Sequence, residues 1–270
     1  MLSPRLLSCL ALALCVCLVS CSPSETAKSA KPKPGTPAYF WTQAQAAYEK
    51  GDFVAAAANL DKLTSRDSEY RQQAQLWLMA LHAGMAKGDM QWADALDTGR
   101  KFSRTGEAAF RREIAAARAA ASQAVMSYLE LANQFISAGV PDKPEISFKA
   151  APTAGRPTEL ARIEKGILPP AAEMELARAR LRAQAISETT KALAPESGSI
   201  DKDQLLAAMA KEMIDLCDLY SSKRLNESGR VRMLTQVAGA AVQSMTPCEA
   251  SKALRKQLEA LAKPGAKPVS

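Results

Sequence analysis

Few residues in this 270-residue chain carry side chains suited to catalysis or ligation. The single histidine, His82, follows Leu81 within a helical pattern, so a zinc or haem site built on paired imidazoles has no second ligand. A histidine-dependent triad would have to use His82, and no Gly-x-Ser-x-Gly elbow accompanies it. Neither Gly-x-Gly-x-x-Gly nor Gly-Lys-Ser/Thr occurs, which removes the familiar phosphate loops. Glu130, Glu173 and Glu175 are the acids nearest apolar seams, and each reads as structural. The expectation is therefore a chain without catalytic residue, metal or cofactor. Cysteine is the remaining reactive residue type. Cys9, Cys15 and Cys17 lie inside an apolar run over residues 6–19, while Cys21, Cys217 and Cys248 lie outside it.

That run is preceded by Arg5 and followed by Leu18-Val19-Ser20-Cys21. It is shorter than the ~20 apolar residues of a membrane-spanning helix and has the layout of a secretory signal. Its last four residues resemble the lipobox of bacterial lipoproteins. The resemblance implies cleavage after residue 20 and acylation of Cys21, with fatty chains holding the protein to a membrane. Each buried methylene contributes about 0.8 kcal/mol, so several chains anchor firmly. Ser22, in place of aspartate after the cysteine, is similar to the outer-membrane sorting default of that family and implies the periplasmic side.

Removal of residues 1–20 leaves 34 basic and 28 acidic residues, a charge of +6. This is a mild excess, best read as solubilising surface charge. Export and sparse aromatics argue against nucleic acid as a partner. With Cys21 acylated, Cys217 and Cys248 remain as an even pair in an oxidising compartment, and the economical expectation is a disulfide between them, the alternative being a reactive thiol at Cys248 at the start of a helix.

The elements that must carry these residues read as all-α, with antiparallel helical hairpins. Residues 22–37 hold no large apolar side chain, so a lipidated, disordered tether is expected over 21–37. From residue 38 the pattern is helical. Lys50-Gly51-Asp52-Phe53 recurs as Lys87-Gly88-Asp89-Met90, Ala56 recurs as Ala93, and Phe40 and Trp77 lie eleven residues upstream of the two glycines. These positions resemble the first large residue, the turn and the small residue of a tetratricopeptide repeat. The resemblance implies turns at Gly51-Asp52 and Gly88-Asp89, close helix packing at Ala56 and Ala93, and a solenoid at the N-terminal side followed by a helical bundle.

Phe110, Ile114, Ala117, Ala121, Ala124, Tyr128, Leu131, Phe135 and Ala138 alternate spacings of four and three, which predicts one helix over 106–138 stopped by Gly139 and Pro141. TPR-like hairpins and this long helix thus fill residues 38–139. Residues 140–170 contain six prolines and read as an insertion with one short helix at 158–165. Helices resume over 171–263: 171–193 with Arg178, Arg180 and Arg182 around its seam, 205–220, 229–245, and one opened by a capping box at Thr246-Pro247-Cys248-Glu249. Residues 264–270 read as a loose tail.

Together these features suggest a membrane-anchored, non-catalytic adaptor whose helical-repeat surface binds envelope proteins. The alternatives are a cell-wall or glycan-associated enzyme using Glu130, Glu173 or Glu175, which requires two of them to converge in a cleft, and a passive wall- or lipid-binding spacer.

Overall fold

A computed structural model describes residues 32–65, 67–145, 157–193, 200–221, 234–261 and 263. The signal segment 1–20, Cys21, most of the tether, residues 146–156 of the insertion and the tail 264–270 lie outside the described residues. Among those described there are nine α-helices, one π-helical turn and no strand. The helices are α1 (Pro37–Glu49), α2 (Phe53–Thr64), α3 (Arg71–Arg100), α4 (Glu107–Ser137), α5 (Glu159–Glu164), α6 (Ala171–Leu193), α7 (Lys202–Ser221), α8 (Gly239–Gln243) and α9 (Glu249–Leu261); the π turn is Leu234–Ala238.

The body begins earlier than the composition suggests. Thr36 caps α1 by accepting from the Tyr39 amide at 3.3 Å, and Pro37 occupies its start. Threonine followed by proline is a helix-start signal, although the surrounding prolines read as tether. The turn after α1 forms as expected. Gly51 adopts φ +77°, and Asp52 caps α2 by accepting from the Ala55 amide at 3.0 Å. Ala56 on α2 is fully buried.

The second turn does not form. Gly88 and Asp89 lie inside α3, which runs unbroken for 30 residues, about 45 Å at 1.5 Å per residue. An interior glycine costs a helix about 1 kcal/mol relative to alanine. Tertiary packing offsets this, because α3 is the central helix and touches α2, α4, α5, α6 and α7. Every residue from Leu76 to Leu81 is buried, so this stretch shows no solvent face. Trp41 stacks on Tyr70 at 5.3 Å, and Tyr48 meets Trp77 at 4.9 Å, fixing α1 alongside the start of α3.

α4 follows the predicted seam closely. Phe110, Ile114, Ala117, Ala121, Ala124, Tyr128, Leu131 and Phe135 are all buried, the last predicted seam position, Ala138, is exposed at the C-cap, and Gly139 ends the helix at φ +90°. The insertion is less of a surface loop than its prolines suggest. Leu160 and Ile163 of α5 are core residues, and Gly99 of α3 has no room for a Cβ beneath the Ile163 carbonyl. The capping box is displaced by two residues. Cys248 and Ser251 cap α9 reciprocally: the Cys248 amide donates to Ser251 Oγ at 2.9 Å, and the Ser251 amide donates to Cys248 Sγ at 3.5 Å. The Thr246 amide instead donates to Asp203 on α7.

Candidate functional site

The described side chains form two apolar clusters strung along α3. One gathers Leu76–Leu81 with α1, α2, the end of α4, α7, α8 and α9. The other holds Trp92, Leu96, Phe110, Ile114, Ile163 and Leu181. Between them, at residues 87–89 of α3, the contacts turn polar.

Gly88 sits against the backbone of α6. A Cβ there would lie 2.7 Å from the Cα of Arg182, and one on Gly84 would lie 2.5 Å from the Cα of Ile186. Two glycines one turn apart thus let α6 approach α3 at backbone distance. Asp89, only 1% exposed, accepts from Arg178 Nε at 2.7 Å and from Arg182 through Nε at 2.8 Å and Nη2 at 2.9 Å. The paired guanidinium–carboxylate fork is directional, so it fixes the register of α6 on α3 as well as neutralising a buried charge. Gly88 and Asp89 are therefore a helix-packing site and an ion-pair site rather than a turn. Ala93 is fully buried in the second cluster, but it lies on the same unbroken helix as Trp77 and so is not the small residue of a separate second helix of the repeat.

Residues 87–89 thus form a polar belt on α3, and in it Lys87 Nζ lies 2.7 Å from Glu212 Oε1 and 2.8 Å from Oε2. The hydrogen bond goes to Oε2, leaving Oε1 buried without an aligned donor. Burial pushes the Glu212 carboxyl above the usual range, while the Lys87 charge pulls the other way. Tyr128 shares this interior. Its hydroxyl donates to the Met209 carbonyl at 3.5 Å, and burial, with Glu212 and Cys217 nearby, holds its pKa well above 10. His82, six residues before Gly88, has its pKa pushed down to about 4 by burial, against the charge of Asp61. Its Nδ1 is buried without a hydrogen-bond partner among the described residues. The imidazole is therefore half-buried and uncharged at neutral pH.

The acids singled out from sequence do not converge. Glu130 lines an open groove of about 650 Å³ between α4 and the π turn, with Gln123, Asn133 and Gln236. Glu173 pairs with Arg162 of α5 at 2.9 Å, and Glu175 is exposed on the second turn of α6. A second, smaller cleft of about 430 Å³ lies between α3, α5 and α6, and it brings Asp94 and Glu164 to one place. Sequence spacing gave no sign of that pair, because Glu164 arrives on the short α5. Asp94 is exposed at the rim of that cleft.

No disulfide joins Cys217 and Cys248. Cys217 is buried among Met213, Ile214 and Leu216 on α7, whereas Cys248 is exposed at the start of α9, where its sulfur serves as the cap. The expected pairing fails because one sulfur points into the core and the other is held by a local bond. Among the described residues no group of three His, Cys, Asp or Glu side chains is placed to hold a metal ion, and no helix is long and apolar enough to cross a membrane. No protein-family model, no curated protein and no solved structure matches the chain.

Proposed function

We propose that this protein is a lipid-anchored adaptor of the cell envelope, tethered through Cys21 at the outer membrane, facing the periplasm and binding another envelope protein. The observation that carries the reading is Leu18-Val19-Ser20-Cys21 at the end of a short apolar run. Support for a non-catalytic role comes from the belt. The buried charged side chains Asp89 and Glu212 have their partners on other helices and so hold the fold together. We read α1–α2 and α3–α4 as two stacked TPR-like hairpins, the second lengthened so that its turn falls beyond Arg100, with the later helices as a bundle against them. The open groove on α4, where Met126 is exposed beside Gln123 and Asn133, is the surface we assign to the partner.

The test is crosslinking in living cells followed by capture, comparing the parent with Cys21→Ser and with Met126→Glu. The reading expects one protein recovered in stoichiometric amount with the parent and lost in both variants. Recovery of this chain alone under several growth conditions would overturn it.

A further inference from the structure

Phe102 is 65% exposed and Ile167 is 53% exposed, and they stand on two turns that touch. Gly166, at φ +85°, lies so close to the first turn that a Cβ would sit 2.7 Å from both the Phe102 carbonyl carbon and the Ser103 nitrogen. A ring and a branched aliphatic side chain are thus held at one tip of the molecule, outside the core. Around them Lys101, Arg104 and Lys165 are exposed, and none makes an ion pair among the described residues. The acid nearest the first turn in sequence, Glu107, is engaged by Arg100 and Arg111. Glu164 precedes Lys165 and lines the α3–α5–α6 cleft.

We propose that this tip is a contact surface for an anionic phospholipid bilayer. Phe102 and Ile167 enter the interfacial layer, while the three cationic heads stay at phosphate level and their stems cover apolar surface. Charge complementarity selects the occupant: an apolar wedge alone fits any greasy partner, but a wedge ringed by unpaired cations fits acidic headgroups. The presence of a bilayer nearby rests on the lipid anchor proposed above.

The experiment uses the polypeptide 21–270 made without acyl chains, so that the tip is measured apart from the anchor. Co-sedimentation with vesicles of phosphatidylethanolamine and phosphatidylglycerol is compared with vesicles of phosphatidylcholine alone. Binding is expected only with the anionic vesicles. Neutralising each cation (Lys101→Gln, Arg104→Gln, Lys165→Gln) should weaken it about fivefold, and the triple variant roughly a hundredfold. Phe102→Ser with Ile167→Ser should also weaken it, whereas Val54→Ser, an exposed apolar residue on α2, should not. Circular dichroism confirms that each variant is folded. Equal binding to both vesicle types, or triple and double variants that bind like the parent, overturns the proposal. Neither result touches the acylation of Cys21, which is read separately from the mature N-terminus.

Discussion

The Cα of Arg182 occupies the space where a side chain on Gly88 would begin. This relationship reverses the usual effect of a helical glycine. On an exposed surface Gly→Ala would stabilise the helix by about 1 kcal/mol. Here Gly88→Ala should destabilise the fold by about 1–3 kcal/mol, because α6 must move away from α3. Denaturant unfolding checks this, and an unchanged or raised midpoint would refute the close approach.

Asp89 is the counter-charge for two guanidinium groups. Asp89→Asn keeps the shape and removes the charge, leaving Arg178 and Arg182 facing one another. Full burial would make this a loss of about 3–5 kcal/mol. The arginines retain 18% and 16% exposure, so about 2–4 kcal/mol is expected. A loss near zero would mean that the belt contributes nothing to holding α6 in place.

His82 makes stability depend on pH. Its folded pKa of about 4 lies below the unfolded value of 6.5, so the unfolded chain binds more protons between them. Stability should therefore be full above pH 6.5 and decline as pH falls towards 4, by up to about 3 kcal/mol. Glu212 acts in the opposite sense: its raised carboxyl favours folding below the unfolded value of 4.5, and that contribution is lost as pH rises through the folded pKa. Comparing His82→Gln with the parent isolates the histidine. The variant should show a flatter profile between pH 6.5 and 4, and an identical slope would contradict the account.

The two later cysteines should differ in reactivity. Cys248 is exposed and Cys217 is buried. A thiol reagent should modify Cys248 in the native protein and Cys217 only on unfolding, with Cys217→Ser removing the slow phase. Absence of both thiols in denatured, unreduced protein would restore the disulfide.

Local signals account for much of the helical pattern. The alternating seam of α4, the glycine that ends it, and the span 171–193 of α6 were legible because each depends on residues within a few turns. Lys-Gly-Asp was ambiguous because the same tripeptide serves two purposes. At Gly51 it reverses the chain, and at Gly88 it admits another helix, a choice made by Arg178 and Arg182 some ninety positions later. The Asp94–Glu164 cleft and the Lys87–Glu212 pair were hidden for the same reason. Their partners sit on separate helices, and no periodicity within one element reports them. The tip at Phe102 and Ile167 was equally unreadable, since Gly166 brings together turns sixty residues apart.

The proposed membrane attachment depends on acylation of Cys21, which the mass of the mature N-terminal peptide purified from membranes reads out. The expected result is a chain that begins at Cys21 and carries a diacylglyceryl group on its sulfur, with a further acyl chain on its amine. An N-terminus at another residue, or an unmodified Cys21, would contradict it.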